Sequence, residues 1–166
     1  PARIAPGGDV SSRESRPELD AAGLRFGVVA ARFNEKHVQR LVDGALETLH
    51  RQGAARDAIE VLWVPGSLEL PLAAKWLASR QPACHAVLAF GVIIQGETEH
   101  FRLVADQCAR GLLEVSLATG VPVLNGVLAC YDAGQAEARL GGTMGHTGVT
   151  TALAAVRMAR LRLEQP

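Results

Sequence analysis

The residues best suited to chemistry stand in the run Gly96-Glu97-Thr98-Glu99-His100. An imidazole changes protonation near neutral pH, so His100 can take up or release a proton under ordinary conditions. Ahead of it, His85 to Phe90 is a short apolar run following Pro82 that reads as a strand buried on both faces. Behind it, Phe101, Val104, Ala105, Cys108, Leu112 and Val115 recur at helical spacing, so an amphipathic helix begins near Thr98. His100 thus belongs to a strand-to-helix turn at the carboxyl end of a buried strand, where open α/β sheets bind ligands. Gly96 permits close approach of the backbone to a ligand. The unpaired N–H groups of Glu97, Thr98 and Glu99, with the positive end of the helix dipole, make an anion site, and that dipole disfavours a protonated His100. Without a ligand, the same residues describe a surface histidine beside an ordinary glycine turn.

Two other turns have the same character. Leu24 to Ala31 reads as a buried strand ending in Arg32-Phe33-Asn34-Glu35, and Val38, Leu41, Val42, Ala45, Leu46 and Leu49 mark the helix after it, with Asn34 as expected N-cap. Phe33 is either a core residue at a strand exit or an aromatic plate for a flat ligand. Ile59 to Val64 is a second strand, closed by Pro65-Gly66. Ser67 is expected to cap the next helix, which carries Leu70, Ala73, Ala74 and Leu77 and tolerates Pro71 in its first turn. Glu69 either complements that helix dipole or accepts hydrogen bonds from ligand hydroxyls.

The elements that position these turns alternate strand and helix. A fourth strand is expected over Val123 to Cys130, then a short helical piece near Gln135 to Leu140, the Gly-rich run Gly141 to Gly148, and a last helix through Val149, Leu153, Val156 and Leu161. The expected fold is an α/β three-layer sandwich, with a parallel four-stranded flavodoxin-like sheet and helices on both faces. Residues 1–22, rich in Pro, Gly, Ser, Arg and Glu, are expected to form a flexible arm, and residues 23–166 a single domain.

Composition narrows the function. Lys plus Arg number 17 and Asp plus Glu 17, so the formal charge is zero and neither nucleic acid nor an anionic membrane is an expected partner. No apolar run is long enough to span a bilayer and the polar N-terminus has no signal-peptide core, so a cytoplasmic location is expected. Cys84, Cys108 and Cys130 lie in or beside apolar segments without metal-ligand spacing, which predicts buried, reduced thiols and no metal. The Gly-rich run near the end lacks the Gly-Lys-Ser/Thr of a P-loop, and no GxGxxG follows a strand. An acidic pair after the first strand and an Asp after the third, as a response regulator needs, are both missing.

Arg32-Phe33-Asn34, Val64-Pro65-Gly66-Ser67-Leu68-Glu69, Gly96-Glu97-Thr98-Glu99-His100-Phe101, Pro122-Val123, Gly126-Val127-Leu128, Gln135-Ala136 and Arg139 occur in fixed order. In that order they resemble the lumazine synthase family of riboflavin biosynthesis, from about Gly23 to the C-terminus. The resemblance implies condensation of 5-amino-6-ribitylaminopyrimidinedione with 3,4-dihydroxy-2-butanone 4-phosphate, losing phosphate and water, with no cofactor. It implies that Phe33 stacks on the pyrimidine and that Asn34 and Ser67, Leu68 and Glu69 hold the pyrimidine side, with Glu69 on ribityl hydroxyls. It further implies that Val92, Ile93 and Ile94 contact the ring by main chain, that Glu97 and Thr98 offer N–H groups to the butanone phosphate gripped by Arg139, and that His100 is the acid–base group.

The chain departs from the family pattern at several positions. Asn125 stands where a second aromatic, supplied by the neighbouring subunit, is usual. Thr147 stands where a Gly-Asn-Lys-Gly motif has its lysine, and losing a charged hydrogen bond costs about 1.5–3 kcal/mol. Thr150 replaces an acidic residue and Gln95 a common arginine. Two readings follow: a working synthase, or a family member that kept fold and assembly as a shell protein or a lumazine or flavin binder. The resemblance also implies a homopentamer with its site between adjacent subunits, and the short Gly141 to Gly148 linker favours closure of twelve pentamers into a 60-subunit icosahedral shell.

Overall fold

Strand-like and helix-like apolar periods alternate along the chain, and both are realised in the computed structural model, which describes residues 19–165. The elements run β1 (Phe26–Ala31), α1 (Glu35–Arg51), β2 (Ile59–Val64), α2 (Leu70–Ala78), β3 (Ala86–Phe90), β4 (Val92–Ile94), α3 (His100–Thr119), β5 (Val123–Asn125), β6 (Leu128–Cys130), α4 (Ala133–Glu137), β7 (Leu140–Gly142), β8 (Gly145–His146) and α5 (Thr147–Leu163). Strands β2, β1, β3 and β5 form, in that order, a four-stranded parallel sheet. The side-chain alternation of β1 divides the core in two. Phe26, Val28 and Ala30 join Leu41, Val42, Ala152 and Val156 under α1 and α5. Val29 and Ala31 join Ala73, Leu77, Cys108 and Leu112 under α2 and α3. This is the α/β sandwich expected from the sequence, and its helices cover both faces because β1 and β3 are buried throughout.

Three local readings are corrected. The stretch Val123 to Cys130 is two strands, interrupted after Asn125, and β3 is likewise interrupted at Gly91 before β4. A side chain at Gly91 would meet Ser67 Oγ at 2.7 Å and one at Gly126 would meet the Phe90 ring at 2.5 Å, so crowding demands glycine at both breaks. Beyond them β4 pairs with β6 in parallel, Val92 opposite Leu128. The short helix near Gln135 begins earlier, at Ala133, because Asp132 Oδ1 accepts the Gln135 N–H at 2.8 Å as an N-cap. The Gly-rich run contains an antiparallel hairpin, β7 with β8, in which Gly141 and Gly145 take positive φ.

Residues 1–18 of the expected arm lie outside the described residues. Of the rest, Ala21 is buried and its amide donates to Gln52 O at 2.6 Å, while Arg160 donates to the carbonyls of Asp20 and Ala22 at 2.7 and 2.9 Å. Among the described residues no helix is long and apolar enough to cross a membrane.

Candidate active site

Three turns at the carboxyl edge of the sheet meet around one cleft. The turn after β1 runs alongside the one after β2, because the amides of Arg32 and Phe33 donate to the carbonyls of Val64 and Pro65 at 2.8 and 3.1 Å. This continues the strand pairing past the strand ends and leaves the Phe33 ring 70% exposed. Asn34 occupies the N-cap position of α1, but its side chain makes no cap bond. The residue takes the left-handed conformation, φ 60°, and its Nδ2 donates to the Val92 carbonyl at 2.7 Å, tying the first turn to β4.

The second turn departs from the expected cap at Ser67. An α-helix starting there would need an N–H from residue 71 to reach the Ser67 carbonyl, and Pro71 has none. Ser67–Glu69 instead forms a tighter 3₁₀ turn, with the Leu70 amide donating to Ser67 O, and Ser67 makes no side-chain cap bond. Ser67 is buried, whereas Leu68 and Glu69 are exposed. The Glu69 carboxylate curls back toward Gly66, where an added Cβ would lie 3.1 Å from Oε2.

The third turn follows β4. The Gln95 amide donates to Cys130 O at 2.9 Å, and the chain then crosses Gly96 to Glu99 before α3 opens at His100. Thr98 Oγ1 accepts the His100 amide at 3.4 Å, and Glu99 pairs with Arg102 at 3.1 Å. Phe101 is braced by the edge of Tyr131, with ring centroids 5.9 Å apart.

The resulting cleft has a volume of about 340 Å³, within the range of small-molecule sites. Phe33 lies on one side with Ser67, Leu68 and Glu69, and Val92, Ile93 and Ile94 line it together with Thr98 and His100. An apolar ring, a carboxylate and an imidazole thus share one hollow, which can hold a flat polar ligand and move its protons. The helix readings assigned Phe101 and Val104 to the apolar stripe of α3, yet both line this cleft with Gly66 and Gly96. Val104 stands one turn after His100, and that spacing is the signal that it shares the histidine's face.

The other expected site residues lie elsewhere on the chain. Glu97 is exposed in the third turn but does not line the cleft. Asn125 sits exposed at the end of β5, where its Oδ1 accepts the Val127 amide at 3.0 Å across the strand break. Arg139 donates from Nη1 to Gln135 O at 2.9 Å, and its carbonyl accepts the Thr147 amide at 2.9 Å, so the hairpin brings Arg139 and Thr147 side by side. The structure therefore gathers the expected residues into a cleft group containing His100 and a hairpin group containing Arg139.

A flavodoxin-like parallel sheet whose carboxyl-edge turns enclose one mixed polar and aromatic cleft defines a small-molecule-binding α/β protein. The family model of 6,7-dimethyl-8-ribityllumazine synthase matches residues 23–162. Curated relatives carry the same name. One from Xylella fastidiosa is 45% identical over 150 residues, covering 90% of this chain and 96% of its own. Another, from Xanthomonas euvesicatoria, is 47% identical over 145 residues, covering 87% and 93%. A chloroplastic one from Arabidopsis thaliana is 45% identical over 139 residues, or 84% of this chain and 61% of that longer protein. The chain belongs to the 6,7-dimethyl-8-ribityllumazine synthase family.

Proposed function

We propose that this protein is a transferase of riboflavin biosynthesis, condensing 5-amino-6-ribitylaminopyrimidinedione with 3,4-dihydroxy-2-butanone 4-phosphate to 6,7-dimethyl-8-ribityllumazine. The observation that carries the reading is the shared cleft of Phe33, Glu69 and His100 in a chain of this family. Phe33 offers its exposed ring for stacking on the pyrimidine, a contact worth about 0.5–1.5 kcal/mol beyond area burial. Glu69 accepts hydrogen bonds from ribityl hydroxyls, Ser67 and Leu68 shape the same wall, and Val92 to Ile94 border the ring through their main chain. Asn34 acts by holding Val92 in place. The substrate amine adds to the ketone carbon and water leaves to give the imine, after which His100 removes a proton as phosphate departs; ring closure expels a further water. One positioned proton carrier contributes about 10²–10⁴-fold, and orientation of the two substrates supplies much of the remainder.

The phosphate is received by the N–H groups of Glu97 and Thr98 and by Arg139, a charge-assisted donor. The separation of Asn125, Arg139 and Thr147 from the cleft supports a site completed by the hairpin of an adjacent subunit. Assembly is further supported by exposed apolar side chains on the outer layer: Leu72 and Trp76 on α2, and Leu103, Leu113 and Leu117 on α3, the last 76% exposed. By family resemblance the assembly is a homopentamer, and the short run between β7 and α5 favours its closure into an icosahedral shell. Free, buried Cys84, Cys108 and Cys130 support a reducing, cytoplasmic compartment.

The test is turnover with both substrates, followed by lumazine absorbance. Product above the spontaneous background is expected. Its absence from well-assembled protein would overturn the assignment and leave a lumazine- or flavin-binding shell protein as the reading.

A further inference from the structure

The edge of the sheet opposite the cleft holds a second concentration of positive charge, which the proposed reaction does not use. Arg25 immediately precedes β1, His85 immediately precedes β3, and Arg162 lies in the last turn of α5. All three are half-buried and line one hollow of about 340 Å³. Each is held in place by backbone. Arg25 Nε donates to Ala83 O at 3.1 Å, and Arg162 Nη1 donates to Cys84 O at 3.1 Å. The Arg25 amide donates to His85 Nδ1 at 2.8 Å, which leaves the neutral ring its proton on Nε2.

Among the described residues no carboxylate forms an ion pair with Arg25 or Arg162. Glu60, whose charge is felt at nearby Cys84, gives both oxygens to Arg80, and Asp20 pairs with Arg160 at 3.4 Å. Burial first, then the charges of Arg25, Arg162 and Arg160, hold the His85 imidazole below its ordinary range, so it faces the hollow as a neutral ring. Each guanidinium has committed only one of its several N–H donors within the described residues. Two restrained guanidiniums and a ring N–H, lining one hollow with no ion-paired carboxylate among the described residues, form a receptor for a compact anion with several acceptor oxygens.

We propose that the hollow bounded by Arg25, His85 and Arg162 binds a phosphoryl dianion, either inorganic phosphate or the phosphate of a small ester. Phosphate suits it better than a carboxylate because its oxygens point in several directions, one toward each guanidinium and one toward His85 Nε2. Occupancy neutralises the facing arginines and locks the end of α5 to the start of the sheet. The site is separate from the phosphate contacts proposed for the reaction, which belong to the opposite edge.

Calorimetric titration of the assembled protein with inorganic phosphate, in chloride buffer, tests this. Arg139→Ala removes the charged contact of the proposed substrate-phosphate site and leaves only the Glu97 and Thr98 N–H groups there, so the part of the remaining binding that responds to Arg162→Gln reports the new site. It should weaken about tenfold or more when Arg162→Gln is added. Arg162→Gln alone should leave turnover near the parent value. Loss of all phosphate binding in Arg139→Ala, or unchanged affinity on adding Arg162→Gln, would overturn the proposal. A second readout needs no change in the hollow: in the Arg139→Ala protein, phosphate should move the NMR titration of His85 to higher pH, and an unmoved titration would overturn the site. Glycerol phosphate that displaces inorganic phosphate assigns the hollow to small esters, binding of inorganic phosphate alone confines it to the free ion, and binding of neither overturns it.

Discussion

The Asn34 side-chain amide donates to the Val92 carbonyl at 2.7 Å, joining the turn after β1 to the start of β4. This bond fixes the distance between the Phe33 plate and the wall formed by Val92 to Ile94. Asn34 also sits at φ 60°, which asparagine tolerates better than residues lacking its local hydrogen bonding. Asn34→Ala therefore leaves the carbonyl of buried Val92 without its donor and places alanine in a strained conformation. The expected cost is about 1–3 kcal/mol in urea unfolding for the lost partner, with a raised KM for the pyrimidine substrate. Unchanged stability and KM would show that the two turns are held by something else.

His100 is exposed and contributes only its first backbone turn to α3. His100→Ala should lower kcat by about 10²–10⁴-fold while the unfolding midpoint stays close to the parent. Parental turnover in this variant would remove His100 from the reaction.

Arg40 clamps the segment that carries Arg139. It pairs with Glu137 through Nη1 and donates from Nη2 to Leu140 O at 2.8 Å, and His37 meets the same carboxylate at 3.2 Å. Arg139→Ala should mainly raise KM for the butanone phosphate, and Arg40→Met should raise it less, with kcat preserved in both. The Arg40 hydrogen bond holds the Glu137 carboxyl below its ordinary value, so this clamp is intact above the ordinary carboxylate range and loosens as pH falls through the folded value. An Arg40→Met enzyme with parental KM would show that the hairpin needs no such brace.

His85 gives a second pH dependence. Burial, followed by Arg25 and Arg162, lowers its pKa, so the unfolded chain binds a proton there more readily than the folded one. The associated stability is present above the unfolded value of about 6.5 and is lost as pH falls through the folded value. In phosphate-free buffer, the melting temperature should fall between neutral pH and about pH 5. That fall should be shallower in His85→Gln, whose amide oxygen can still accept the Arg25 N–H. Parallel curves for the two proteins would exclude His85 as the source.

The Cys108 thiol is pushed up to about 11 by burial alone. At pH 8 it should stay unmodified by thiol reagents in the folded protein and react at once after denaturation. Ready labelling of the folded protein would mean that α3 opens from the sheet.

The continuous apolar run Leu24 to Ala31 and the helical spacing of Val38 to Leu49 identified the sheet and its layers, because a strand buried on both faces and a helix buried on one leave those patterns. The meeting of Phe33, Glu69 and His100 also followed from sequence, since each stands just past the end of a strand in a parallel sheet. The breaks at Gly91 and Gly126 did not, because they depend on Ser67 Oγ and the Phe90 ring, neighbours that only the folded chain supplies. The 3₁₀ turn at Ser67 was legible in principle, since Pro71 withholds the N–H that an α-helix there would use. The hairpin after Arg139 was hidden in a glycine-rich composition that suits a loose link equally well. Its pairing of Arg139 with Thr147 is a backbone hydrogen bond, to which side-chain patterns are blind.

The claim that the cleft of one subunit is completed by the hairpin of its neighbour is tested most directly by co-expressing His100→Ala and Arg139→Ala chains. With the butanone phosphate held well below the parent KM, each variant alone should be impaired, Arg139→Ala through its raised KM. When they mix evenly and at random, about a quarter of subunit interfaces pair an intact His100 with an intact Arg139, so activity should rise well above that of either variant alone. Mixed assemblies no more active than the separate variants would contradict a site shared between subunits.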